Sequence, residues 1–359
     1  MQGGNQMRMT GLRAAILAGG ILGAALVTAV GLTGMGVTSA RAATPAPAAT
    51  PAAAAPAEKP LPDWLFPIDP NSLHPAKTPP KPDDVDLLTL PHSKESFTAA
   101  RIADRFNPPD WHPEDHGPMP DIVAKGRKPD VMACAFCHTP TGQGRPENAP
   151  IAGLPEAYLR EQLQDMRSGA RKPVGPPEYL PNVGMARLAH ALKDSEIDES
   201  AVYFAQQKLR RHVWVIESLR IPRAEPAAWI YEEVGGTEDL DGRLLEVSND
   251  IGRHERRDDR FEYTTYVPPG SLMKGKRFVT TGDEGKTQKC ATCHGPNLKG
   301  LEKVPPIAGR SPSYLLRQML AFKHGLRTNE PGKQMTTVVE KLELADMIAI
   351  SAYLGSLYP

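Results

Sequence analysis

Apolar residues recur at helical spacing in two distant stretches of the chain and alternate with polar ones in a third. Leu159, Leu163 and Met166 stand at i, i+4 and i+7, and Leu316, Leu320 and the apolar stem of Lys323 repeat that spacing. Further on, Ile197, Ala201 and Phe204 share one helical face, as do Leu344, Met347 and Ile348. The pattern predicts a mainly α protein with helical regions over 118–210 and 270–359. Between them, 211–269 leans towards β structure, with "HVWVIESLRI", "AAWIYEE" and "RFEYTTYV" as short strands or extended strips. Ahead of the first helical region lies a proline-rich extension, 61–117, with "FTAARIADRF" as a candidate short helix. Trp64, Trp111, Trp214 and Trp229 all fall in these two non-helical regions, where the expectation is that they pack the extensions onto the helical domains.

The N-terminus adds a location. Arg8 and Arg13 precede an uncharged run from Ala14 to Val37, and Ala40-Arg41-Ala42 has the small-x-small form that a signal peptidase cuts. Residues 1–42 read as an export signal cleaved after Ala42, or as a retained membrane anchor with Arg8 and Arg13 on the cytoplasmic side. Residues 43–57 contain only Ala, Pro and Thr, so 43–60 is a stiff linker with nothing to bury. Either way the remainder is exported to the periplasm, anchored to the inner membrane if the segment is retained. Lys plus Arg equals Asp plus Glu at 42 each. Net charge therefore points to no nucleic acid and to no acidic partner.

All four cysteines lie in "CAFCH" at 134–138 and "CATCH" at 290–294. Two disulfides would suit an exported protein. One zinc would need the two CxxC pairs much closer together in sequence. A redox CxxC would be expected once, at a helix start in an α/β pattern. The histidine after each pair favours a fourth reading, because CxxCH is the attachment signature of c-type haem. The two thiols, Cys134 with Cys137 and Cys290 with Cys293, form thioethers to the vinyl groups, and the adjacent imidazole, His138 or His294, is the proximal iron ligand. The expected cofactors are two covalently bound haem c groups.

At a constant offset of 156, residues 134–171 and 290–327 share fifteen identities without a gap. They include the "PIAG" blocks 150–153 and 306–309, Gly144/Gly300, Tyr158/Tyr314, Gln162/Gln318 and Arg171/Arg327. One haem-binding module has been duplicated. A Gly/Pro-rich loop follows in each copy, "KPVGPPEYLPNVGM" and "NEPGKQM", and each ends in methionine. Met185 and Met335 stand at the same distance before Tyr203 and Tyr353. They are expected at loop-to-helix junctions, aimed at the distal face of the iron. Met166, Met319 and Met347 are read as core packing. His112 and His116 in "DWHPEDH" are the rival ligands for the first haem and otherwise ordinary surface histidines. His190 and His324 lie on helices as structural or exposed groups.

These residues resemble the bacterial di-haem proteins made of two fused class I c-type cytochrome domains. The resemblance rests on CxxCH, the Pro-containing "IAG" segment, the "YL…Q" helix, the loop methionine and the closing helix with an aromatic, over roughly 118–208 and 270–358. It implies that a backbone carbonyl at Ala149-Pro150 and at Pro305-Pro306 accepts the proximal imidazole N–H. The short "DIVAKGRKPDVMA" before the first motif, broken by Pro129, departs from the longer "SLMKGKRFVTTG" of the second copy.

An iron held by histidine and methionine has no open site for substrate, so the expected function is one-electron transfer rather than catalysis. Its partners are redox proteins: a dehydrogenase or cytochrome complex as donor and a terminal acceptor in the periplasm, with the inner membrane or a membrane complex as a further partner. The alternatives are a cytochrome subunit of a larger respiratory or dehydrogenase complex, and a di-haem cytochrome c peroxidase. The last needs an open iron and an acid/base group, for which Glu178 is the candidate.

Overall fold

The structure, a computed structural model, describes residues 60–70 and 85–359, which belong to the compact unit Ala57–Pro359. The export segment and the Ala/Pro/Thr linker lie outside the described residues. No helix among the described residues is long and apolar enough to cross a membrane.

The extension begins with a 3-10 turn (Asp63–Leu65) and further on forms a hairpin of β1 (Leu87–Thr89) and β2 (Ser96–Thr98), followed by α1 (Ala99–Ala103), capped by the Thr98 hydroxyl. The first module contains α2 (Asp121–Ala124), α3 (Cys134–His138), α4 (Glu156–Ser168), α5 (Leu180–Ala191) and α6 (Asp194–Ala205). Segment 211–269 holds β3 (Val213–Glu217), β4 (Arg220–Ala227), β5 (Ile230–Asp239), β6 (Leu245–Ser248), α7 (Ile251–Glu255) and β7 (Tyr263–Val267). The second module contains α8 (Ser271–Thr281), α9 (Ala291–His294), α10 (Pro312–Lys323), α11 (Glu330–Val339) and α12 (Leu344–Ser356).

The duplication is reproduced bond by bond. The closing helices start alike: the Glu196 carboxylate accepts the Lys193 N–H at 2.7 Å, and Asp346 accepts that of Glu343 at 2.9 Å. They end alike as well, the Gly153 and Gly309 N–H groups donating to Phe204 and Leu354 at 3.0 and 2.8 Å. Ile197, Ala201 and Phe204 are buried in the core of the first module, and Met347, Ile348 and Met319 in that of the second.

The segment 211–269 is more than extended strips. It forms a five-stranded sheet of order β3-β7-β6-β5-β4, in which β3–β7 and β6–β5 are parallel and the other pairs antiparallel. "HVWVIESLRI" supplies two of these strands, broken at Ser218-Leu219, and β6 was not expected at all. The sheet is fastened to the second module by the buried carboxylate of Glu246, which accepts hydrogen bonds from Thr265, Ser311 and Ser313. The tryptophans act as expected at two positions: Trp229 meets Tyr179 edge-on, and Trp64 packs against the large core. Trp111 instead is buried within the extension against Phe97, Leu90 and Ile102 and donates to the Arg256 carbonyl of the inter-domain segment. Trp214 is also an exception, part-exposed beneath Arg211.

In the second module α8 and α12 cross at Gly275, where a Cβ would lie 1.9 Å from the Ala349 carbonyl oxygen. Gly275→Ala should lower stability by about 1–3 kcal/mol or more through overpacking, read as a fall in the thermal unfolding midpoint. Gly117→Ala, where a Cβ meets nothing within 4 Å, should stay near wild type. Equal effects would contradict the crossing.

Candidate functional site

Each CxxCH folds as one helical turn, which puts both sulfurs and the following imidazole on neighbouring faces. The chain then doubles back. Gly144 and Gly300 return N–H bonds to the His138 and His294 carbonyls at 3.1 and 2.9 Å. Both glycines have positive φ, and a Cβ on Gly144 would sit 2.6 Å from the Ala149 carbonyl oxygen. That close approach brings the carbonyl onto the histidine: His138 Nδ1 lies 2.9 Å from the Ala149 oxygen and His294 Nδ1 lies 2.8 Å from that of Pro305. Since a carbonyl only accepts, each Nδ1 carries the proton and each Nε2 presents a lone pair. Burial also lowers both imidazole pKa values, which favours the neutral, ligating form.

The cysteines are unbonded to one another. Burial pushes the Cys134 thiol up to about 12 and Cys290 up to about 11. A redox CxxC needs the opposite shift.

In the first module, Cys134, His138 and Met185 line one partly open cavity. The remaining walls are largely apolar, and Arg171 and Tyr314 also border the cavity. In the second module, Cys290 and Met335 pack against the same core as Leu315, Met319 and Leu316.

At the junction of the copies, residues 170–172 and 326–328 pair as a short antiparallel ladder. Lys172 N–H donates to Leu326 at 2.8 Å and Thr328 N–H to Ala170 at 2.7 Å, each bond the image of the other under the 156-residue offset. Arg171 donates to Gln162 and Gln318 at 2.9 and 3.1 Å, and Arg327 donates to the same two amides and to Tyr158. Arg310 crosses the junction too, donating to Pro150 at 2.5 Å, Ala152 at 3.1 Å and Pro306 at 2.7 Å.

The cytochrome c family model matches residues 272–358. The "Cytochrome subunit of sulfide dehydrogenase" of Chlorobaculum tepidum is 32% identical over 75 residues, covering 17% of this chain and 68% of that protein. The chain is a di-haem class I c-type cytochrome. Two longer matches cover about two-thirds of the chain. The "Thiosulfate dehydrogenase electron acceptor" of Thiomonas intermedia is 25% identical over 233 residues, 64% of this chain and 80% of that protein. The "Cytochrome c4" of Azotobacter vinelandii is 26% identical over 234 residues, 64% and 86%. The cytochrome carries covalently bound haem c and transfers electrons.

The residues present fit that cofactor. Arg171, Arg310 and Arg327 are held at the junction, yet among the described residues none has a carboxylate within ion-pair distance. Burial lowers Arg310 to about 10, and burial together with Arg327 lowers Arg171. Their acceptors are amide, carbonyl and tyrosine oxygens, and the Asp165 carboxylate acts on Arg171 and Arg327 only from beyond ion-pair distance, so the positive charge is incompletely balanced. Haem carboxylates at the cavity that Arg171 borders would have the required sign.

Several expectations need correction. Met185 and Met335 lie inside helices, each the sixth residue of α5 and of α11, with Pro181 and Pro331 as the second. The copies regain register at these prolines, which start a helix well because their missing N–H has no partner there anyway. His112 is fully buried, its Nε2 3.1 Å from Asp258, and His116 is held by Asp110 at 3.2 Å, so neither is an ordinary surface histidine. Neither borders the cavity. Met166 does border it, rather than filling the packed core. His190 is exposed, and His324 caps α10 part-buried. Glu178 is exposed as well. The arginine junction went unread, although Gln162/Gln318 and Arg171/Arg327 are polar identities with no helix-face role to explain them.

The junction should behave as one unit. Gln162→Ala and Arg327→Ala, separately and together, should show a coupling energy of about 0.5–3 kcal/mol in denaturant unfolding of the holoprotein. Gln162→Ala with the exposed Lys333→Ala should be additive. Additivity in both cycles would contradict the junction.

Proposed function

We propose that Cys134, Cys137 and His138 hold the first haem with Met185 as sixth ligand, and that Cys290, Cys293 and His294 hold the second with Met335. The observation that carries this reading is the matched pair of imidazole-to-carbonyl bonds, which leaves one Nε2 lone pair per module for a metal. The bound haems supply a one-electron Fe(II)/Fe(III) couple. The chain's own residues would hold it: the Ala149 and Pro305 carbonyls set the imidazole tautomer, Met185 and Met335 would supply a thioether ligand each, and the largely apolar walls of the first cavity would limit water. Arg171, which borders the first cavity, with Arg310 and Arg327 beside it at the junction, would offer positive charge to haem carboxylates.

On this reading the cytochrome accepts single electrons from a periplasmic dehydrogenase or cytochrome complex and delivers them to a terminal acceptor. The relative named as a thiosulfate dehydrogenase electron acceptor supports a dehydrogenase as donor. The two modules differ in access. Thr292, Cys293 and Pro296 are exposed, whereas 139–147 are buried beneath the extensions. Partners therefore dock on the second module. A subunit of a larger complex is the second reading, favoured by the relative named as a subunit of sulfide dehydrogenase. Co-purification at native abundance separates the two.

Mass spectrometry of the acid-denatured protein should show two haem additions. Cys134→Ala with Cys137→Ala should remove one, and Cys290→Ala with Cys293→Ala the other. Bound zinc, or a mass for two disulfides without haem, would overturn the assignment. N-terminal sequencing should begin at Ala43; an intact Met1 in salt-washed membranes would establish the anchor instead.

A further inference from the structure

The outer side of the first CxxCH is covered by a single guanidinium. Arg257, in the turn after α7, lies over the Phe136 ring with its guanidinium carbon 3.5 Å from the ring centre. It donates to the Phe136 carbonyl at 2.7 Å and to the Ile102 carbonyl at 3.1 Å, tying the motif to both extensions. Its backbone φ is +61°, a region that a bulky residue seldom occupies, so the surrounding fold holds it there against a local cost.

The neighbouring charges do not cancel it. Arg145 is buried but paired with Glu147 at 3.0 Å, and it also donates to His254. Arg257 has no carboxylate within ion-pair distance among the described residues. Burial and the Arg145 charge lower its pKa to about 9, which still leaves it protonated at neutral pH. Cys137 lies within reach of its field and of those of Arg145 and Arg105, opposed by the Glu147 carboxylate.

Among the described residues, the second module has no such cover. The 156-residue offset places Thr292 where Phe136 stands and Leu301 where Arg145 stands, and both are exposed, as is Cys293.

We infer that Arg257 raises the reduction potential of the first haem, through a fixed, poorly solvated positive charge that the second module lacks. Taking up one electron from a redox partner lowers the positive charge of the iron site by one, so a nearby cation in a low-dielectric setting favours the reduced state. The extensions thereby set the difference between two otherwise duplicated sites. The inference rests on haem attachment at Cys134 and Cys137 as proposed above.

The test is an optical redox titration of the holoprotein, with covalent haem counted by mass on the same samples. Met335→His lowers the second haem's potential and so marks which wave belongs to which module. At a fixed ambient potential, Arg257→Gln should lower the reduced-to-oxidised ratio of the first haem about tenfold, equivalent to 59 mV for one electron. The second haem should not move. Arg257→Met, a second neutral variant that keeps the stem, should match Gln, while Arg257→Lys should stay near wild type. The shift should persist in about 1 M salt, because a covered charge is poorly screened. An unmoved first haem, an equal fall in both haems, or a Lys variant that falls as far as Gln would overturn the inference. A wild-type protein lacking the first covalent haem would instead overturn the attachment assignment.

Discussion

One hydrogen bond organises each module: a histidine Nδ1–H held on a carbonyl eleven residues further along the chain. Everything local serves it. The glycine at 144 or 300 permits the close return of the backbone, the proline-containing block aims the carbonyl, and the closing helix pins that block through its glycine. A free imidazole can carry its proton on either nitrogen. Here the backbone makes the choice, and the Nε2 lone pair is presented to the cavity without further reorganisation. The high thiol pKa values follow from the same burial that shelters the cavity.

The second constraint is electrostatic. Three arginines gather where the duplicated modules meet, and two of them occupy equivalent positions in the repeat. Like charges in a low-dielectric junction repel and lose hydration, and the amides of Gln162 and Gln318 satisfy hydrogen bonds without supplying negative charge. Haem carboxylates placed at this junction would supply further negative charge beyond that of Asp165.

The motifs and the repeat were legible because their chemistry dictates residue type and spacing. Two sulfurs and an imidazole must lie on one turn, and duplication doubles that signal. The closing helices were legible from Ile197, Ala201 and Phe204 because burial on one face imposes the period. Met185 and Met335 were identified by shared spacing but placed at helix starts, since the proline-rich run around each reads as loop. In fact Pro181 and Pro331 occupy the second helical position, where proline is tolerated. What could not be read was long-range pairing. His112 meets Asp258, Arg257 meets Phe136 and Glu246 meets Ser313 across gaps in sequence that no local pattern encodes. The five-stranded sheet falls in the same class, because parallel pairing of β3 with β7 joins strands far apart along the chain.

The central claim is that both modules present the same histidine–methionine pair to iron. The most direct measurement is the far-red methionine-to-iron charge-transfer absorption of the oxidised protein, quantified against covalent haem. The account predicts one equivalent of this absorption per haem, half of it lost in Met185→Ala and the other half in Met335→Ala. It would be contradicted if either substitution left the absorption intact, or if His112→Ala removed the share assigned to the first module.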